Sequence, residues 1–298
     1  MTGQRDITYC AVADCRQPAL LAAAQCRQHL PDSARYFSRL PTLLHAANNA
    51  QLARIDLRHV EVTAAHLAGA ILTAALFDGT VFTASDLTRA SLHGVSARGA
   101  GFTEMDAAGL DASGAVLTAT RWLHVHVEDA RFTNAIWEAA EIRGLEGARA
   151  DFTRASLRQT LFAHCTLTEA WFTDADLAET VFDGCDLSWA VCAGCHGESL
   201  SLRRAALDNT SFVGAFLDGA DFSEAYAPRA RFSAAILTGA KLVGALLTNA
   251  VFREADLRGA DFRNADLQGA ILERANLEGA NLDGANLAGA NLHGAIVS

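Results

Sequence analysis

The first 29 residues contain four potential metal ligands, Cys10, Cys15, Cys26 and His29. They form a Cys-x4-Cys pair and a Cys-x2-His pair separated by ten residues. Each pair can chelate from a tight turn, and a Cys3His set suits tetrahedral zinc. Four protein ligands leave no position open for water, so we expect a structural zinc site. The alternative is a set of free thiols and a surface histidine.

A second motif, at residues 192–196, reads Cys-Ala-Gly-Cys-His and matches the attachment sequence of c-type haem. Cys192 and Cys195, however, occupy positions that carry apolar residues at regular five-residue intervals along the chain. We therefore expect both thiols inside a packed core that haem cannot reach. Residues 1–10 also lack the pattern of a secretory signal, which haem attachment would require.

The five-residue interval is a repeat that runs without insertion or deletion from position 52 to position 297. Leu, Phe, Val, Trp or Ile occupies 43 of the 50 repeat centres. Ala occupies 33 of the 50 positions that lie two residues before a centre. A period of five fits neither a helix nor a strand, so amphipathic helices and alternating strands are both excluded.

Four such units can close a square coil of twenty residues, with the large centre and the small residue two before it pointing inward. Successive coils would hydrogen-bond like neighbouring strands, with a rise of about 4.8 Å per coil. The sequence therefore predicts an all-β solenoid of about twelve coils over residues 48–298. Residues 1–47 are predicted to form a small, partly helical, zinc-binding cap over the open edge of the first coil.

The irregular units support this model, because a small centre often follows a large inward residue. The pairs are Val95 with Ala97, Met105 with Ala107, Leu110 with Ala112, and Leu145 with Gly147. Such pairs conserve the volume of a close-packed interior. The alternative is a flexible break within the glycine-rich segment 94–114. The units around Cys192 and Gly197 lack this compensation, and we expect the rod to narrow or fray there.

The repeat resembles the pentapeptide repeat family over residues 48–298, and its unit is nearly pure at residues 275–279, Ala-Asn-Leu-Glu-Gly. This resemblance implies a right-handed quadrilateral β-helix. Some bacterial members are rod-shaped mimics of B-DNA that bind DNA gyrase or topoisomerase IV and protect the enzyme from quinolones or peptide toxins. Those members typically dimerise through a helix after the last coil, whereas this sequence stops at Ser298. Stacking of two C-terminal ends would give a homodimer by another route.

Charge is the main signal on the predicted outer surface. Residues 46–298 carry 19 basic and 31 acidic side chains, which disfavours binding to nucleic acid phosphates. The acids concentrate on two opposite faces, one centred on residues such as Leu87 and the other on residues such as Phe77. On the first face, a stripe of carboxylates with an exposed tryptophan comprises Asp106, Glu128, Asp129, Glu146, Glu169, Asp186, Trp189 and Asp208. Only Arg149 opposes this stripe in the sequence.

Two interpretations of the acidic stripe follow. It is either a solvated surface that keeps a repeat protein soluble, or a contact surface that imitates a phosphate backbone. We predict a non-catalytic, cytoplasmic protein-binding rod, with a type II topoisomerase such as gyrase as the most specific partner. The alternative is an adaptor in which the zinc cap recognises the partner and the rod is a spacer. A filled rod without loops offers no concave pocket, so no enzyme is expected.

Overall fold

The computed structural model describes residues 40 and 42–297, and a left-handed turn recurs through it at every fifth residue. From Asn49 to Gly294, positive φ angles occur at 31 non-glycine and 19 glycine residues. The non-glycine residues include no Val, Ile or Thr, whose branched side chains disfavour this conformation. Most corners are closed by a short turn bond, such as the one from the Ile55 amide to the Leu52 carbonyl at 3.1 Å. The five-residue period is thus the spacing of the corners.

Six short strands lie on one side of the solenoid. They are β1 (Glu61–Thr63), β2 (Val81–Thr83), β3 (Gly101–Thr103), β4 (Arg121–Leu123), β5 (Glu141–Arg143) and β6 (Leu161–Ala163). They form one parallel sheet in chain order, and each residue pairs with the residue twenty positions later, as Phe82 does with Phe102. This offset is the length of the predicted coil.

Single-residue parallel bridges continue the pairing where no regular strand forms. They keep the twenty-residue offset from the Gln51–Ile71 bridge to the Asn276–Ile296 bridge. Each coil therefore joins the next through four ladders, one on each side. The predicted all-β solenoid is confirmed, although regular three-residue strands are limited to six successive coils.

The interior is filled by the repeat centres and the residues two before them. Phe132, Phe152 and Phe172 are fully buried and stack at ring-centroid distances of 5.1 and 5.0 Å. Phe162 and Phe182 form a second stack at 4.5 Å. Offset stacks of this kind fill the space between coils without voids and add to the stabilisation from burial.

The size compensation predicted from the sequence is confirmed. Val95, Met105, Leu110 and Leu145 are all buried, and bridges such as Ser91–Asp111 and Ser96–Val116 cross the glycine-rich segment without a break. These residues are therefore core, and no flexible break interrupts the pairing of segment 94–114.

The expected fraying near Cys192 and Gly197 is wrong. His196, beside Gly197, bridges both Asp176 and Phe216, so the ladder is intact. A Cβ atom added to Gly197 would lie 3.0 Å from the side chains of both Leu200 and Leu217. Leu200 belongs to the next unit of the same coil, which is why a comparison within one unit missed the compensation.

A short helical segment covers the first coil. Residue 40 and residues 42–44 are helical, and Leu40 and Leu44 are fully buried. The His66 amide donates to the Leu44 carbonyl at 3.1 Å, which ties this segment to the edge of the first coil. Among residues 40 and 42–297, no helix has the length and apolar character needed to span a bilayer.

Candidate interaction surface

The predicted zinc ligands Cys10, Cys15, Cys26 and His29 lie outside the described residues, so the zinc site stays a prediction. Within the part of the chain that the structure describes, no cluster of His, Cys, Asp or Glu side chains is arranged to hold a metal ion.

The Cys-x2-Cys-His motif lies where the repeat register places it. Cys192 and Cys195 are buried, and burial raises the pKa of both thiols, that of Cys195 to about 12. Thiols in this state are poor nucleophiles. The interpretation of these residues as part of the core is confirmed by their burial.

Many aspartates of the rod have a structural role in the turns. The residue just before a centre points outward, and its side-chain oxygen accepts a hydrogen bond from the amide two residues later. Asp106 accepts from the Ala108 amide at 3.1 Å, and Asp186 accepts from the Ser188 amide at 2.9 Å. An asparagine forms the same bond, as Asn286 does with the Ala288 amide at 3.1 Å. A negative charge at this position is therefore not required by the fold.

The N-terminal half of the acidic stripe is an ion-pair network. Arg149 donates to both Glu128 and Asp129, with its Nε 2.8 Å from Asp129 Oδ1. His126 lies between Asp106 and Glu128, with its ring nitrogens 3.4 and 3.3 Å from their carboxylate oxygens. Hydrogen bonds from Arg149, and in the case of Glu128 also from His126, hold the pKa values of Glu128 and Asp129 below their usual range. The charge of Arg149 thus offsets part of the negative charge of this half.

The far end of the stripe is also paired. Both carboxylate oxygens of Asp208 lie 2.7 Å from an Arg229 nitrogen. The prediction that Arg149 is the only cation opposing the stripe is therefore incomplete, because Arg229 opposes it as well. Arg229 lies 21 residues after Asp208, just as Arg149 lies 21 residues after Glu128. An offset of one coil plus one residue is the sequence signal that would have predicted both pairs.

Three carboxylates remain in the middle of the stripe. Glu146 and Glu169 are exposed and Asp186 is half-buried, and none of them forms an ion pair with another described residue. Trp189 is 59% exposed beside them, as predicted, and Trp171 on the adjoining face is 52% exposed. Trp171 was not among the predicted surface residues, although a large aromatic residue at an outward position is a signal visible in the sequence.

A family model described as pentapeptide repeats matches the chain in eight copies, over residues 65–103, 150–188, 201–239, 230–269 and 260–298. The chain belongs to the pentapeptide repeat family. No curated protein matches it.

Solved structures of several pentapeptide repeat proteins are similar to this chain. HetL, involved in heterocyst differentiation regulation in the cyanobacterium Nostoc, is 26% identical over 88% of this chain and 95% of its own, with a TM-score of 0.29. QnrB1, a plasmid-mediated fluoroquinolone resistance protein, is 18% identical over 61% of this chain and 85% of its own, with a TM-score of 0.37. A thylakoid lumen protein of Arabidopsis thaliana is 29% identical over 34% and 68%, with a TM-score of 0.27.

Proposed function

We propose that this chain is a non-catalytic rod that binds a basic surface of a protein partner through the middle of its acidic stripe. The observation that carries the proposal is the trio of Glu146, Glu169 and Asp186, which have no ion pair with another described residue. Where such a side chain closes a turn, asparagine can replace it, so the fold does not require the negative charge. The charge is therefore available to a partner.

The charge density of the stripe is lower than the sequence suggests. Seven carboxylates opposed by two arginines leave a net charge of about −5 over roughly 24 Å, or about one charge per 5 Å. A single DNA strand carries one charge per 3.4 Å. The imitation of a phosphate backbone is therefore partial, and the proposal rests on complementarity to a basic protein surface.

A bacterial type II topoisomerase, DNA gyrase in particular, is the most specific candidate partner. Its DNA-binding surface is basic by necessity, and the resemblance to gyrase-binding members of the family favours it. Such a partner places the rod in the cytoplasm. The test is a supercoiling assay with purified gyrase and the full chain. We expect the rod to inhibit supercoiling, or to relieve a gyrase poison, at micromolar concentration.

Charge reversal tests whether the stripe is the contact. Glu146→Lys, Glu169→Lys and Asp186→Lys together should abolish the effect on gyrase. The matched control reverses three exposed carboxylates of the opposite face, Glu138, Glu198 and Asp218, and should leave the effect intact. An effect lost in the control and kept in the stripe variant would assign the contact to the opposite face. No effect of the wild-type rod would remove gyrase and favour the adaptor alternative.

We also propose that Cys10, Cys15, Cys26 and His29 bind one structural zinc ion. The support is the donor set, which supplies three thiolates and one imidazole in two short pairs. Metal analysis of the purified chain should find about one zinc per chain. Cys26→Ser should lose it, and a folded wild-type chain without metal would contradict the site.

A homodimer through the C-terminal coils is the remaining partner proposal. In the last coil Leu287 and Leu292 are only half-buried, and Val297 is exposed. The amides of Leu287 and Leu292 have no hydrogen-bond partner among the described residues. A second copy stacked on this end would cover both apolar and polar groups. Light scattering should give twice the monomer mass, and Leu287→Glu should restore the monomer.

A further inference from the structure

One corner of the rod carries a shallow depression of about 600 Å³. It is lined by Asp129, Arg149, Glu169, Trp171 and Trp189, which we call the tryptophan corner. Asp129, Arg149, Glu169 and Trp189 occupy the same turn position in four successive coils, and Trp171 lies on the adjoining face.

The fold gives no reason for tryptophan at either position. Trp189 occupies a left-handed turn with φ of 65°, where glycine is the residue favoured by backbone geometry. Among residues 40 and 42–297, no other non-glycine residue with positive φ is Trp, Phe or Tyr. Trp171 occupies an outward bridge position, at which Ala206 serves equally well elsewhere in the rod.

The two indoles of the corner face solvent. Neither Trp171 nor Trp189 makes a ring contact or an indole hydrogen bond with another described residue. The other two tryptophans, Trp122 and Trp137, are buried and pack against each other at a centroid distance of 4.9 Å. The chain thus separates tryptophans that fill the core from tryptophans that face solvent.

The electrostatics of the corner favour a cation. Arg149 is engaged by Asp129 and Glu128, and these hydrogen bonds raise its pKa further above its ordinary value. Its charge is therefore offset, and Glu169 remains without an ion pair among the described residues. An indole face attracts a cation, and an arginine guanidinium suits it better than a lysine ammonium because it is planar and less strongly hydrated.

We propose that the tryptophan corner binds an arginine side chain from a basic segment of the protein partner. The guanidinium would lie against the indoles of Trp171 and Trp189 and pair with Glu169. This inference rests on the proposed function, because the corner borders the acidic stripe and shares Asp129, Glu169 and Trp189 with it. It adds a specific side chain to what is otherwise a general charge complementarity.

The test uses the full chain and a fluorescein-labelled nine-residue peptide of alternating arginine and serine, without any topoisomerase. Binding is followed by fluorescence anisotropy at low and physiological salt. Each of Trp171→Ala and Trp189→Ala should weaken binding about two- to five-fold, and the double variant should weaken it about tenfold. A peptide with lysine in place of arginine should bind more weakly to the wild type and lose less in the double variant.

Matched variants separate the corner from overall charge. Glu169→Gln should weaken arginine-peptide binding, whereas Glu104→Gln should not, although Glu104 is an exposed carboxylate at the same turn position of another corner. Alanine occupies the turn position of Trp189 at Ala139 and elsewhere in the rod. The alanine variants should therefore fold, and their thermal denaturation midpoints check this.

Three results would overturn the inference: equal binding by wild type and the double tryptophan variant, equal loss in Glu104→Gln, or no peptide binding at low salt. None of them depends on gyrase. A rod that binds the arginine peptide but leaves gyrase unaffected would remove the topoisomerase and keep the corner. Inhibition of gyrase that survives loss of both tryptophans would keep the proposed function and remove the corner.

Discussion

The middle of the rod and its C-terminal coils share the twenty-residue coil and have very different sequences. Residues 275–297 repeat Ala-Asn-Leu-x-Gly almost without change, and they bridge neighbouring coils at the same twenty-residue offset as residues 121–190, which also contain the regular strands β4 to β6. The middle segment instead contains stacked aromatic rings, a glycine centre, an ion-pair network and two exposed tryptophans. The C-terminal coils show how little the fold requires.

This difference separates structure from function within one chain. Asn276, Asn281, Asn286 and Asn291 accept the turn hydrogen bond that Asp186 accepts in the middle. Leucine centres fill the C-terminal coils without any aromatic stack. Outward charge and exposed indoles in the middle are therefore additions to a sufficient repeat, and they are where a partner is to be sought.

The largest expected effect is a loss of stability when an aromatic repeat centre is removed from the middle of the rod. The same test on a leucine centre of the C-terminal coils gives the comparison. Phe152→Ala leaves a cavity between two stacked rings and should lower the free energy of unfolding by about 3–5 kcal/mol. Leu287→Ala, in a half-buried position of the C-terminal coils, should cost clearly less. Guanidinium denaturation measures both, and equal losses would show that the aromatic stack adds nothing beyond ordinary burial.

A paired substitution within one unit tests whether a large inward residue fills the space left by a small repeat centre. Leu145→Ala should cost about 2–4 kcal/mol, because its neighbour Gly147 offers no side chain to fill the space. Adding Gly147→Leu recreates the pattern of the C-terminal coils and should restore stability to within about 1.5 kcal/mol of the wild type. Gly147 has no positive φ that would oppose a side chain, although an added Cβ atom would lie 3.0 Å from the Leu167 side chain and 3.2 Å from the Val127 side chain, so these two must shift slightly. Failure of the double variant to recover in denaturation would contradict the volume argument.

Substitution of Asp186 separates the turn bond from the charge. Asp186→Ala removes the acceptor for the Ser188 amide and should cost about 1 kcal/mol. Asp186→Asn, which copies the C-terminal coils, should keep the stability of the wild type. Thermal denaturation gives both values. If asparagine destabilised as much as alanine, the negative charge itself would be part of the fold.

Acid titration gives the smallest effect. The depressed pKa values of Glu128 and Asp129 mean that their pairing with Arg149 stabilises the fold above the ordinary carboxylate range. That contribution is lost as the pH falls through the depressed values. Arg149→Gln should therefore lower the denaturation midpoint slightly at pH 7 and not at about pH 2. An equal difference at both pH values would assign the effect to packing of the arginine stem.

Some details of the fold were beyond sequence reasoning. The corner before Cys165 lacks the turn bond and follows a regular strand, whereas the Cys185 amide bonds to the Phe182 carbonyl at 3.0 Å. Both residues are cysteines in the same inward column, so local residue type does not distinguish them. Whether a corner forms this turn bond depends on the packing of its coil against the neighbouring coils. The same holds for the space beside Gly197, which is filled by Leu200 of the adjoining side.

The sequence alone determined the period, the inward columns, the burial of Cys192 and Cys195, and the side of the rod that carries the acidic stripe. These follow from a fixed backbone repeat, because a position modulo five sets whether a side chain points in or out, and a position modulo twenty sets its face. Only the tertiary structure decided that Arg149 pairs with Glu128 and Asp129 rather than with Glu169, which is equally one coil away, and that Trp171 joins Trp189 around Glu169. Those contacts join side chains of different coils or faces, whose reach and rotamers depend on neighbours that are distant in the chain.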